Sequence, residues 1–252
     1  MMRIMKDIPY TQRPGERNTL DLYLPEGEGS FPCFVYFYGG GLTNGEKADS
    51  QALAEGFARA GIAVAVPNYR LYPAAAYPAF IEDAAEAVAF VAAHRADYGL
   101  SELFVGGWSA GAYLAMMLCF DKRYLAAHGI DPDALAGFLF ISGQTTKHFT
   151  VLDQSGEDPR RIIVDETAPL YHIRSTGAPL LILVADHDME NRLEQNQLLV
   201  GTLRHYQYPS PVLFHIVENM DHGGFDKPRG DRPSAIHEAG VPFIRTYAGR
   251  GA

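Results

Sequence analysis

The pentapeptide GWSAG at residues 107–111 has a serine between two glycines, the pattern G-x-S-x-G. It lies between an apolar, strand-like segment (residues 102–105) and residues 110–120, whose apolar side chains recur at helical spacing. The pattern alone arises by chance in about one chain of this length in ten, so its position between strand and helix is the informative part. In such a turn the serine is exposed above the sheet as a nucleophile. We therefore predict Ser109 as the nucleophile, with the backbone N–H of Ala110 as one oxyanion donor.

A serine hydroxyl needs a base within hydrogen-bond reach before it can attack an ester. Of the nine histidines, His222 follows the last predicted strand (residues 212–217) in the glycine-containing loop NMDHGG. Seven of the others lie in predicted helices, in a strand, at the surface or in a long segment after residue 142. The eighth, His187, lies between Asp186 and Asp188, the two candidates for the orienting acid. The sequence therefore predicts His222 as the base.

The carboxylate that orients this histidine is expected between the serine and the histidine in chain order. The predicted strand at residues 180–184 is followed by Asp186 and Asp188, with Glu190 further on. Asp188 is further past the strand end and can bend back toward a histidine loop, whereas Asp186 is placed to anchor the turn. We favour Asp188 and keep Asp186 as the alternative.

Three consecutive glycines at residues 39–41 follow a buried strand-like segment that ends at Tyr38. Glycines at such a position can direct backbone N–H groups toward a ligand that a side chain would obstruct. A phosphate cradle is disfavoured, because no G-K-[ST] follows and the spacing is not G-x-G-x-x-G. We predict that Gly40 and Gly41 donate to an oxyanion together with the residue after the nucleophile.

Strands and helices alternate along most of the chain, which predicts an α/β fold with a mostly parallel sheet and helices on both faces. In such sheets function lies at the carboxyl ends of the strands, where the candidate residues all fall. The predicted strands are 4–11, 19–24, 31–38, 62–66, 102–105, 137–142, 180–184 and 212–217, and the predicted helices are 51–60, 80–97, 110–120 and 190–203.

Residues 144–178 form a long segment of little periodicity, which interrupts the alternation of strands and helices. Loops of that length in a compact domain are usually lids or binding elements. We predict a small cap, with Phe149 and Tyr171 as pocket walls beside Tyr38 and Trp108; a plain surface excursion is the alternative.

The composition excludes several classes of protein. With 21 Lys and Arg against 30 Asp and Glu, the formal net charge is −9, which disfavours nucleic acid or a membrane surface as partner. The two cysteines, Cys33 and Cys119, lie in apolar stretches and are expected as buried free thiols, and no metal site is indicated. We expect one domain over residues 1–252. The absence of a signal-peptide pattern at residues 1–7 predicts a cytoplasmic protein, or a secreted one if a leader has been removed.

Taken together, these motifs resemble the α/β-hydrolase fold, and within it the short-chain carboxylesterases of the hormone-sensitive-lipase-like and feruloyl/acetyl-esterase-like groups. The matching segments are Tyr38–Gly41, where those families usually have His-Gly-Gly-Gly, residues 68–71 (NYRL) with Pro78, Glu82 and Asp83, GWSAG, Asp188 and His222. The resemblance implies a Ser109–His222–Asp188 triad, an oxyanion hole from Gly40, Gly41 and Ala110, and neither metal nor organic cofactor. It also implies that Arg70 and Asp83 tie a loop to a helix, although a surface ion pair remains open.

The resulting prediction is a serine esterase acting on small, short-chain acyl esters, including acetylated or feruloylated carbohydrate, through an acyl-enzyme. An arylformamidase-type amide hydrolase and a non-catalytic small-molecule-binding protein on the same scaffold are the alternatives. Acyl and alcohol specificity and the oligomeric state are left open by the sequence.

Overall fold

The computed structural model describes residues 2–13, 15 and 17–249. Its eight strands form one sheet in the order β1-β2-β4-β3-β5-β6-β7-β8. Strand β2 is antiparallel to both of its neighbours, and the remaining neighbours run parallel. The strands are β1 (Arg3–Pro9), β2 (Thr19–Leu24), β3 (Phe31–Phe37), β4 (Ala63–Pro67), β5 (Leu100–Trp108), β6 (Gly137–Ile141), β7 (Leu180–His187) and β8 (Val212–Asp221).

Helices cover both faces of the sheet, as the alternation predicts. They are α1 (Gln51–Arg59), α2 (Ala79–Ala93), α3 (Arg95–Tyr98), α4 (Ala110–Phe120), α5 (Lys122–Ala126), α6 (Phe149–Gln154), α7 (Arg192–His205) and α8 (Ala235–Tyr247). Phe34 of β3 and Phe104 of β5 are neighbours on one face, where their rings contact Phe57 of α1 and Phe243 of α8. Gly107 points to the opposite face, against α4, on which α2 packs.

Three strands continue past their predicted ends. The predicted segments 102–105, 180–184 and 212–217 stop where the apolar run stops, but β5 reaches Trp108, β7 reaches His187 and β8 reaches Asp221. The backbone ladder carries on through two glycines in β5 and through polar residues in β7 and β8, because backbone pairing needs no apolar side chain. The extensions bring the candidate site residues directly to the carboxyl edge of the sheet.

The short helices α5 and α6 were not predicted, and two longer helices also differ from prediction. The predicted helix 80–97 is split at His94 into α2 and α3, and it ends at Gly99 in the left-handed conformation. Helix α8 was not predicted, because Gly240 and Pro242 lie inside it and both disfavour helix interiors. Its packing against α1 and β6 compensates for that poor local propensity.

Several smaller expectations can be compared with the structure. Cys33 and Cys119 are buried free thiols, as predicted. Asp83 is fully buried and accepts hydrogen bonds from the backbone and guanidinium of Arg70. The pair therefore ties a loop to α2 and is not a surface ion pair. Among the described residues, each helix is too short or too polar to cross a bilayer.

Candidate active site

Ser109 stands in the sharp turn between β5 and α4, with φ 56° and ψ −116°, a strained backbone conformation for a residue with a side chain. The two flanking glycines make room for this turn. A Cβ on Gly107 would lie 2.4 Å from the carbonyl oxygen of Phe37, and one on Gly111 would lie 2.0 Å from the same atom. Close approach of the β3 end to the elbow therefore requires glycine at both positions.

The three residues predicted as a triad lie in hydrogen-bond contact. The Oγ of Ser109 is 2.8 Å from Nε2 of His222, and Nδ1 of the same ring is 2.6 Å from Oδ1 of Asp188. When Nδ1 carries the proton and donates a hydrogen bond to the carboxylate, Nε2 is unprotonated and can accept the proton of the serine hydroxyl. The arrangement has the geometry of a nucleophile, a general base and an orienting acid.

Asp188 is held as a carboxylate by its surroundings. Its side chain is 1% exposed, and burial by itself would raise the pKa. Hydrogen bonds from His222 and Ser142 outweigh burial and hold the pKa of this carboxyl below its usual value. The backbone N–H groups of Ala185 and Met189 also donate to it, so a negative charge faces the histidine at neutral pH.

The alternative acid, Asp186, has a different position. It accepts hydrogen bonds from the backbone N–H groups of Asn219, at 2.8 Å, and Met220, at 3.0 Å. It therefore fixes the loop that carries His222 and does not reach the ring itself, in line with the anchoring position proposed for it from sequence.

The sequence reasoning missed Ser142. This serine is fully buried at the carboxyl end of β6, in the left-handed region at φ 53°. Its hydroxyl donates to Oδ2 of Asp188 and lies 3.0 Å from Nδ1 of His222. The only available signal was its position at the end of a predicted strand, the edge where functional residues collect.

The glycine loop lies against the nucleophile. A Cβ on Gly39 would lie 3.2 Å from Cβ of Ser109. Gly40 and Gly41 both have positive φ, at 112° and 64°, and the hydroxyl of Thr150 in α6 donates to the carbonyl of Gly41. These contacts bring the N–H groups predicted to bind the oxyanion next to the elbow, where the N-terminal amides of α4, beginning with Ala110, have no intrahelical partners.

Tyr38, proposed from sequence as a pocket wall, supports the loop from behind. It is 3% exposed, and its ring stacks on Tyr69 with centroids 4.6 Å apart. Its hydroxyl accepts a hydrogen bond from the guanidinium of Arg17, which also donates to the carbonyl of Gly45. The tyrosine in place of the usual histidine is thus part of a buried hydrogen-bonded support, and its role as a pocket wall stays a prediction.

Trp108 also supports the site. Its Nε1 donates to the backbone carbonyl of His222 at 3.0 Å, and the two rings are 5.3 Å apart. A Cβ on Gly39 would meet the indole at 2.6 Å. The ring therefore lies between the glycine loop and the histidine loop.

We expect Trp108→Phe to lower kcat about tenfold while changing KM little, because the variant removes one hydrogen bond that fixes the histidine loop and keeps the apolar packing. Steady-state kinetics with a soluble ester, alongside circular dichroism and thermal unfolding, measures this. Wild-type kcat in a folded variant would contradict the assignment.

The two remaining pocket predictions differ in position. Phe149 lies beside the glycine loop, since a Cβ on Gly41 would be 3.0 Å from its ring, and it lines a cleft of about 490 Å³. Tyr171 is 60% exposed, and its ring contacts His172. A role for Phe149 in the pocket is thereby supported, whereas Tyr171 remains a prediction without a contact to the site.

A strand-to-helix elbow with a strained serine, an acid after β7 and a histidine after β8, on a sheet in which only the second strand is reversed, defines the α/β-hydrolase fold. The chain belongs to the BD-FAE family, whose match covers residues 20–157. The expected resemblance to carboxylesterases of this fold is confirmed.

Known proteins similar to this chain are ester hydrolases. A probable isoprenylcysteine alpha-carbonyl methylesterase of Arabidopsis thaliana is 34% identical over 219 residues, which are 84% of this chain and 43% of that protein. A truncated carbohydrate esterase from gut microbiota matches with a TM-score of 0.81 at 20% identity, over 97% of this chain and 96% of the other. Esterase B from Lactobacillus rhamnosis also matches at 0.81, with 17% identity over 98% and 86%. The chain spans less than half the length of the first of these curated relatives.

Proposed function

We propose that the chain hydrolyses short-chain acyl esters through a covalent acyl-enzyme on Ser109. The observation that carries the proposal is the continuous contact from Ser109 Oγ through the ring of His222 to Asp188, at 2.8 and 2.6 Å. Fold, family and relatives agree with this chemistry, and the assembled relay argues against a scaffold that only binds its ligand.

In the proposed reaction the Ser109 oxygen bonds to the carbonyl carbon as its proton passes to Nε2 of His222. The carbonyl oxygen becomes an oxyanion held by the N–H groups of Gly40, Gly41 and Ala110. The C–O bond then breaks, and the alcohol departs with the proton from the histidine. Water repeats the sequence on the acyl-enzyme, which releases the acid and restores the serine.

The substrate size is inferred from the short segment available to cover the site. Of the residues that the structure describes, 144–178 form the long segment placed to cover the site, and their first part, residues 144–148, is buried. Among the similar proteins, one is named as a methylesterase, which acts on a small alkyl ester, and another is named as a carbohydrate esterase. Soluble esters of acetate or butyrate therefore suit the site better than long-chain lipids.

We expect acetyl and butyryl esters of one alcohol to be hydrolysed with kcat/KM at least about tenfold above the palmitoyl ester, since residues 144–178 are a short segment with which to cover a long chain. Initial rates with the three esters, below the critical micelle concentration of the longest, provide the measurement. A preference for palmitoyl would overturn the proposed substrate class. An aryl formamide in the same series separates esterase from arylformamidase activity.

A further inference from the structure

A cleft beside the candidate triad, which we call the arginine cleft, is rich in hydrogen-bond donors. It has a volume of about 490 Å³ and reaches from Phe149, next to the glycine loop, to Met189, next to the catalytic acid. Among the residues that line it are Gln144, Arg160, Arg161, Ile162, Arg192 and Gln195.

Arg192, the first residue of α7, is a buried cation in this cleft. The residue is 4% exposed, and one guanidinium nitrogen donates to the carbonyl of Ser142 at 2.7 Å. Its Nε is buried and lacks a hydrogen-bond partner among the described residues, and Nη2 reaches the sulfur of Met189 at 4.0 Å. The guanidinium thus keeps donors that the rest of the protein does not use.

This guanidinium is charged at neutral pH. Burial lowers its pKa to about 10, and the negative charge of Asp188 acts in the opposite direction. The Asp188 carboxylate is already hydrogen-bonded to His222 and Ser142. A desolvated charge without its own counter-ion is costly in a protein interior, which makes this position favourable for an anionic ligand.

Gln195 lies one helical turn after Arg192 and lines the same cleft. It is 7% exposed, and its Oε1 accepts a hydrogen bond from the backbone N–H of Thr145 at 3.2 Å. With the oxygen occupied, the amide nitrogen is left as a donor. A guanidinium and an amide NH₂ group side by side match the two oxygens of a carboxylate.

The other charges of the cleft are largely balanced. Arg160 and Arg161 are exposed at its rim, and each forms an ion pair with an acidic neighbour. Glu190 is an exposed acid in the lining. The specific attraction for an anion therefore comes from Arg192 and Gln195, against the background of a chain with a formal net charge of −9.

We propose that the arginine cleft is a subsite for a carboxylate carried by the substrate, in either its acyl or its alcohol part. The proposal rests on the proposed esterase function, because the cleft adjoins the residues that would carry it out. The carboxylate would bind Arg192 and Gln195, while Phe149 and Ile162 cover the carbon chain that links it to the ester.

The test compares pairs of esters in which a neutral group of one member replaces the carboxylate of the other. For the acyl part, the 4-nitrophenyl monoester of adipic acid is compared with 4-nitrophenyl hexanoate, and for the alcohol part, 4-acetoxybenzoate with 4-acetoxybenzamide. We expect one of the two carboxylates to be preferred over its neutral counterpart by at least about tenfold in kcat/KM, and the arm that responds identifies the part that carries the charge.

The variant Gln195→Glu tests the site while leaving the bond between Arg192 and Ser142 in place. Its carboxylate can still accept from Thr145 but faces the ligand with a negative charge. We expect the charged-to-neutral selectivity to fall at least about tenfold. Gln197→Glu is the matched control, since it adds the same charge to an exposed position of the same helix, and it should keep the wild-type selectivity within about twofold.

Failure of the subsite and failure of the esterase proposal give different results. Hydrolysis of neutral esters without preference in either arm, or equal effects of the two glutamine variants, overturns the subsite alone. If no ester is hydrolysed, adipate binding decides: adipate should raise the Tm of the wild type and of Gln197→Glu but not that of Gln195→Glu. Equal shifts in all three proteins, or no shift in any, would reject the subsite independently of catalysis.

Discussion

Ser109→Ala is expected to lower kcat for a short-chain ester by roughly 10⁴- to 10⁶-fold, with a folded protein and little change in Tm. The acyl-enzyme cannot form without the hydroxyl, whereas the oxyanion donors and the cleft remain and leave a small residual rate. Ser109 is 8% exposed, and the substitution removes a single oxygen atom, so the surrounding packing is largely kept.

The measurement combines active-site labelling with kinetics. A serine-directed fluorophosphonate should label the wild type once per chain, at Ser109, and should leave Ser109→Ala unlabelled. Ser175→Ala, at an exposed serine, is the matched control and should label and turn over like the wild type. Near-wild-type turnover by a clean preparation of Ser109→Ala would reject the triad, and failure of the wild type to label would favour a scaffold that only binds its ligand.

Asp188→Asn is expected to reduce kcat by about 10⁴-fold with KM nearly unchanged. The amide cannot stabilise the imidazolium that forms during attack, and it favours a proton on Nε2 of His222, where the ring must accept one from Ser109. The substitution removes the charge from the acceptor of the 2.6 Å hydrogen bond that Nδ1 donates, while it conserves the volume of the side chain.

Asp186→Asn is the comparison that separates the two candidate acids. Asn219 and Met220 donate to different oxygens of the Asp186 carboxylate, and the amide has only one oxygen, so the variant loses one of the two hydrogen bonds. We expect a decrease below about tenfold in kcat and a modest loss of stability. A reversed order of effects, with Asp186→Asn the more damaging, would assign the orienting carboxylate to Asp186. Thermal unfolding of both variants separates a catalytic effect from a folding defect.

Local patterns predicted much of this protein before any coordinates. Apolar side chains recur every second residue in strands and every 3.6 residues in helices, because those side chains face the core. The alternation of the two patterns predicts an α/β sheet. GWSAG between strand and helix, and the acid and histidine that follow later strands, predicted the residues now found in one relay. Chain order sufficed there, since the carboxyl ends of parallel strands meet at one edge of the sheet.

What the sequence could not give are contacts between segments far apart in the chain. Ser142 reaches the carboxylate 46 residues later only because β6 and β7 are neighbours. Tyr38 is held by a hydrogen bond from Arg17 and by stacking on Tyr69, and α8 forms through packing that overrides its glycine and proline. No local pattern encodes these pairings.

By itself, then, the sequence determined the fold class and predicted the nucleophile and the order of its partners, each of which depends on spacing along the chain. The tertiary structure decided which aspartate meets His222, which aromatic rings support the glycine loop, and that Arg192 is buried as a charge beside the site. These depend on distances through space and on the removal of water, which arise only when the strands are brought side by side.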